Sequence, residues 1–126
     1  MNINIYFDGG CKPNPGRGYG SYQVISEKLN HLALRQDFGP KLTNNMAEYL
    51  ALIAALKWLR HFTDKTETLI IYTDSTLLMH QLRGRYRVKV VHIKELWQEC
   101  IQLLLPYHRY EIRWHDRKNN VNRFGH

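Results

Sequence analysis

Cysteine is scarce in this chain. Cys11 and Cys100 are the only two, and their spacing matches no metal-binding pattern, so a reduced, cytoplasmic protein is the default expectation. Long hydrophobic runs are missing too. The longest apolar stretch, in the Leu50–Leu59 region, is broken by Lys57, which excludes a membrane-spanning helix. The opening Met-Asn-Ile-Asn-Ile-Tyr-Phe-Asp has neither a basic segment nor a long apolar core, so it is not read as a secretory signal. Repeats, linkers and low-complexity segments are lacking, and 126 residues with 44% hydrophobic content fit one globular domain spanning 1–126. Negative charge is in short supply: 11 Asp and Glu face 18 Lys and Arg, for a net charge of +7. That balance points to a polyanionic partner, most simply a nucleic acid, against the plainer reading of a generally basic surface.

What is present is a clear alternation of elements. Ile3, Ile5 and Phe7 alternate with polar neighbours and predict a strand ending at Asp8. A turn-rich loop, Gly9-Gly10-Cys11-Lys12-Pro13-Asn14-Pro15-Gly16-Arg17-Gly18, follows, with glycines that permit close backbone approach to a ligand. Two more strands are expected over Tyr19–Glu27 and His31–Phe38, with Gly39-Pro40 as a break. Thr43-Asn44-Asn45-Met46-Ala47-Glu48-Tyr49 then reads as the capped start of a helix running to about His61. Further on come a buried-type strand over Leu69–Tyr72, a short helix from Ser75 to Leu82, a helix from Ile93 to Leu105, and a strand from Tyr110 to Trp114. Hairpins first and crossovers later predict an α/β fold, a mixed five-stranded sheet flanked by helices.

Three carboxylates stand out. Glu48 shares a helix face with Leu52, Ala55 and Leu59, so it either bonds back to the helix start or points inward. Asp8 and Asp74 each close a hydrophobic strand, where α/β sheets place their sites, although Asp8-Gly9 also suits a turn and Asp74-Ser75 a helix cap. If the two strands are parallel neighbours, all three carboxylates converge. Such a cluster raises its own pKa values unless a divalent cation neutralises it, and oxygen ligands favour Mg²⁺ or Mn²⁺. Two such ions can activate water against a phosphodiester.

These residues resemble type 1 ribonuclease H. The matching motifs are Tyr6-Phe7-Asp8-Gly9-Gly10 with Asn14-Pro15-Gly16, then Thr43-Asn44-Asn45-Met46-Ala47-Glu48, then Ile71-Tyr72-Thr73-Asp74-Ser75. The resemblance implies hydrolysis of the RNA strand of RNA/DNA hybrids with two Mg²⁺ (or Mn²⁺) ions, leaving 5′-phosphate and 3′-hydroxyl ends. It assigns Asp8, Glu48 and Asp74 to the metal. It makes His115 the flexible catalytic residue after the last strand. It also places Asn14 and Asn44 against the RNA strand, and Thr43 with the Asn44 amide at a DNA phosphate. Asn45 and the backbone at Cys11 join this substrate-binding set, because the 2′-hydroxyl both donates and accepts hydrogen bonds.

The chain departs from the family in three places. The family's fourth carboxylate has no counterpart; Asn122, in Val121-Asn122-Arg123-Phe124, is the expected fourth ligand, with Asn119, Asn120 and Asp116 as alternative registers. The basic protrusion of longer members is missing, and the cluster Arg83, Arg85, Arg87 and Lys89 around Tyr86 is a partial substitute or a solvated turn. The last helix is read as truncated, which would leave apolar sheet surface exposed. A monomer is expected. An Asp-x-Glu proofreading exonuclease is disfavoured by Gly9-Gly10 after Asp8, and a two-domain actin-like kinase by chain length. The rival from another class is a non-catalytic hybrid-binding module of the same fold.

Overall fold

The structure is a computed structural model that describes residues 1–126. Strand β1 (Asn2–Cys11) sends Ile3, Ile5 and Phe7 to one face, each 2% exposed or less, as its period of two requires. It pairs antiparallel with β2 (Gly16–Ile25), which pairs antiparallel with β3 (Asn30–Leu42). Helix α1 (Asn44–Leu59) carries the chain over to β4 (Thr68–Thr73), which lies parallel to β1. Helices α2 (Thr76–Leu82) and α3 (Val91–Leu104) lead to β5 (Arg109–Trp114), parallel to β4. The sheet order is β3-β2-β1-β4-β5. The expected five-stranded mixed sheet is therefore what forms.

Thr43 starts α1 by accepting the Met46 N–H on its hydroxyl at 3.2 Å, which satisfies an amide that the first turn leaves orphaned. The helix is apolar on most of its circumference. Ala47, Tyr49, Ala51, Leu52, Ile53, Ala55, Leu56 and Leu59 are all buried, because α1 lies between the sheet and α3. A helix enclosed on several sides needs no polar stripe. Even Tyr49 is inaccessible, and its hydroxyl donates to Gln81 Oε1 at 2.7 Å.

Two strands run longer than the sequence suggests. β1 continues past Asp8 because Gly9, Gly10 and Cys11 stay paired with Gly20, Tyr19 and Gly18, whereas its pairing with β4 ends at Tyr6 and Tyr72. β3 passes through Gly39-Pro40 to pair Leu42 with Gly16, with register shifts along the way.

The tail forms the short last helix that was expected, α4 (Arg117–Phe124), capped by the Asp116 carboxylate on the Lys118 N–H and ended by Gly125 at φ 77°, a left-handed conformation that suits glycine. α4 packs on β1. The sheet face below it is aromatic, and α4 lays a cation on it rather than leaving bare apolar surface. The Arg123 guanidinium lies 3.5 Å from the Tyr6 ring centroid, and Tyr6 stacks on Tyr72 at 4.9 Å.

Candidate active site

The parallel pairing of β1 with β4 brings Asp8 and Asp74 to the same sheet edge. Asp74 sits one residue beyond β4, at the point where Ser75 caps α2 by accepting the Leu78 N–H at 3.1 Å. Glu48 arrives through a close backbone contact. A Cβ on Gly9 would stand 2.3 Å from the Ala47 carbonyl oxygen, so only glycine lets β1 rest on the first turns of α1. That contact places Glu48 beside Asp8. All three carboxylates line one cleft of about 460 Å³, together with Gly10, Cys11, Tyr19, Asn44, Ser75, Arg117 and His126.

Glu48 makes no capping-box contact; its Oε2 is buried without a hydrogen-bond partner. Burial and the negative charges of Asp74 and Asp8 push its pKa up to about 8, only partly offset by Ser75 and Arg117. Burial, and then the Asp74 charge, push Asp8 up to about 7 against the opposing pull of the Gly9 backbone N–H and Arg117. Asp8 and Glu48 thus resist ionisation first because they are withdrawn from water and then because their neighbours carry the same charge.

The donor set fits a hard divalent cation. It consists of oxygen atoms, includes an orphaned buried acceptor, and carries like charges that a cation would neutralise. The side chains are not drawn into a closed group of ligands.

Asn122 does not join them. It is exposed on the outer side of α4, in a shallow recess with Asp116, Arg117, Lys118 and Val121. The asparagine that reaches the site is Asn120, one of the alternative registers. It is fully buried, and its Nδ2 donates to Asp74 Oδ2 at 3.1 Å and to the Phe7 carbonyl at 3.3 Å. Two acceptors facing the same atom identify it as the amide nitrogen, which leaves Asn120 Oδ1 buried and unpartnered. The physical reason is helix phase: two residues along a helix turn a side chain by about 200°.

His115 follows β5, its backbone N–H bonded to the Thr73 carbonyl at 2.9 Å. Burial lowers its pKa, with the Asp74 charge acting in the opposite sense. It does not line the cleft that holds the three carboxylates.

Of the residues expected to meet substrate, Asn14, Asn44 and Cys11 form a chain: Asn14 Oδ1 accepts the Asn44 N–H at 3.2 Å, and Asn44 Oδ1 accepts the Cys11 N–H at 2.8 Å. The Asn44 backbone amide is thus already engaged, and its side-chain Nδ2 is the donor left for a substrate. Thr43 serves as the helix cap, and Asn45 is half-buried in the first turn of α1. Arg85, Tyr86, Arg87 and Lys89 are exposed, while Arg83 folds back to donate to the Ile112 carbonyl.

Sequence reasoning missed Arg117, Ser21 and His126. Arg117 had a weak local signal, a cation just after a capping aspartate. Nothing near Ser21 or His126 in the sequence marks them.

The chain matches the family model described as RNase H over residues 1–116. It is 35% identical to "Ribonuclease H" of Treponema denticola over 125 residues, covering 82% of this chain and 78% of that protein. It is 32% identical to "Bifunctional protein Rv2228c" of Mycobacterium tuberculosis over 122 residues, or 96% of this chain, and spans only 33% of that protein's length. Among solved structures, LC11-RNase H1 in complex with RNA/DNA hybrid superposes with a TM-score of 0.85 at 32% identity, covering 95% of this chain and 89% of that one.

Proposed function

The chain belongs to the RNase H family, and from that premise we propose that it is a cytoplasmic, monomeric endonuclease cutting the RNA strand of RNA/DNA hybrids. The observation that carries this reading is the meeting of Asp8, Glu48 and Asp74 in one cleft, two of them with pKa values raised to about 7 and 8 by burial and by one another. A binder of polyanions would have no use for three half-buried acids in one cleft. Asp8, Glu48 and Asp74 would hold Mg²⁺ or Mn²⁺, and Asn120 takes the place proposed for Asn122 beside them. Two divalent ions, when bound, supply charge for water activation and for the leaving oxygen, giving 5′-phosphate and 3′-hydroxyl ends.

The protein's own groups do the rest. Asn120 orients the Asp74 carboxylate through Nδ2 and ties it to the β1 backbone. Asn14 and Asn44 present amide groups beside the cleft, suited to a 2′-hydroxyl. Arg117 lowers the cost of ionising Asp8 and Glu48. His115, half-buried and within range of the Asp74 charge, is placed to take or give a proton as product leaves. The exposed Arg85, Arg87 and Lys89 with Tyr86 suit backbone contact with the hybrid.

The test is cleavage of an end-labelled RNA/DNA hybrid with Mg²⁺, Mn²⁺ or EDTA, beside single-stranded RNA, duplex RNA and DNA. Cation-dependent cutting of the hybrid's RNA strand alone, lost in Asp8→Asn, is the expected result. Salt-sensitive hybrid binding without turnover in either metal would replace this reading with a binding module.

A further inference from the structure

His126 lies beyond α4, outside the strands and helices that carry the three carboxylates, yet its ring is among the most enclosed groups in the cleft. Its side chain is 4% exposed. Gly125, at φ 77°, turns the chain back toward the sheet, and the imidazole enters between Tyr19, edge-on at 5.1 Å, and Phe124, stacked at 5.9 Å. There it bridges a cross-strand pair. Ser21 on β2 is the register partner of Asp8 on β1, so both side chains emerge on the same face. His126 Nε2 is 2.6 Å from Ser21 Oγ, and Nδ1 is 3.4 Å from Asp8 Oδ2.

Proton bookkeeping decides the direction of this chain. Ser21 is completely buried. Its hydroxyl oxygen already accepts the Arg35 N–H at 2.9 Å, and the only other polar atom within hydrogen-bond reach is His126 Nε2. A buried hydroxyl left without an acceptor is costly. Ser21 therefore donates to Nε2, and the ring proton of the neutral imidazole is left on Nδ1, facing Asp8. At 3.4 Å that contact is long for a hydrogen bond, and such contacts tighten when a site is loaded.

We propose that His126 is a positioning residue: relayed from the Arg35 amide through Ser21, its Nδ1–H holds one oxygen of Asp8 and leaves the other for the reaction. This rests on the ribonuclease reading of the cleft. Groups that orient a ligating carboxylate in this way are worth roughly 10- to 100-fold in activity or metal affinity. Tyr19 and Phe124 pack the ring, and its protonation is disfavoured first by burial and then by the cations Arg35 and Lys12.

Two measurements test the proposal. In the unsubstituted protein, a long-range ¹H–¹⁵N spectrum of the imidazoles should show His126 protonated at Nδ1 and bare at Nε2, with the preference lost in Ser21→Ala. Hybrid cleavage by His126→Ala should show kcat reduced roughly 10- to 100-fold with KM unchanged. His126→Asn, which keeps an N–H donor, should recover part of the loss. A proton found on Nε2, an unchanged kcat, or a change confined to KM would overturn the proposal. If the unsubstituted protein cuts no hybrid, the ribonuclease reading fails separately, and the spectrum still decides whether His126 points its proton at Asp8.

Discussion

Helices α1 and α4 both deliver a polar group to the cleft, and they do so by opposite means. α1 has sixteen residues, of which eight are buried, and it is wedged between the sheet and α3. Glu48 is placed by that packing and carries the consequence, a carboxylate forced out of water beside two others. α4 has eight residues and buries only Asn120 and Phe124. Asn120 is placed by hydrogen bonds to Asp74 and to the β1 backbone. Apolar area fixes the first helix, and polar satisfaction fixes the second. The site thus has a side that is rigid and electrostatically strained, and a side that is held by specific contacts and is locally replaceable.

The sharpest way to test this contrast is Glu48→Gln. Cleavage should fall to background while the cation-free protein becomes more resistant to heat at pH 8, because one member of a repelling, half-buried trio is gone. Lowered thermal resistance in that variant would mean that packing does not strain the carboxylate.

Gly9→Ala should be next in size. Its methyl would meet the Ala47 carbonyl, which is backbone and cannot swing aside, so a loss on the order of 1–3 kcal/mol or more is expected from overpacking, read by urea denaturation. Activity should fall with it, since the same contact seats Glu48.

The pH dependence follows from the raised carboxylates. Asp8 and Glu48 keep their protons to about pH 7 and 8 in the folded chain, but lose them near 4 when unfolded. At these two groups the folded state binds more protons in that window, so their contribution to cation-free stability is fully present below about pH 4 and is lost as pH rises to about 8. Added Mn²⁺ or Mg²⁺ should raise the melting temperature most at the alkaline end. A melting temperature flat over this range would show the cluster to be better solvated than the structure implies.

The smallest effects lie on α4. Asn120→Ala leaves the buried Phe7 carbonyl unpaired and should cost about 1–3 kcal/mol along with part of the activity. Asn122→Asp, two residues on and exposed, should stay within about 0.5 kcal/mol and leave the cleavage rate unchanged. If Asn122→Asp stimulated cleavage and Asn120→Ala did nothing, the phase of α4 would be wrong.

Much of this molecule was legible in its residues. The alternation Ile3-Ile5-Phe7, the apolar run after Thr43 and the strand before Asp74 each carry a local periodicity, and local periodicity survives into the fold because burial enforces it. Asp8, Glu48 and Asp74 stood out as a set, since each alone suits a turn or a helix cap but together they match three spaced motifs. The extra length of β1 and β3 was less visible. Glycines and a proline that break a strand in isolation are retained here by pairing across the sheet.

What only the tertiary structure decided lies in the last ten residues. Several asparagines compete there, and the sequence offers no means of choosing a helix phase when nearly every position is polar; Phe124 packing against the sheet side chooses Asn120 over Asn122. Ser21 and His126 are 105 residues apart, and their bond to one another, like the contact with Asp8, has no trace in local spacing. Local pattern determined which strands and helices form and which carboxylates they carry, because those are questions of periodicity and burial. The polar atoms that meet around the carboxylates were settled by chain-distant contacts, since a hydrogen bond needs ångström-level placement that no periodicity encodes.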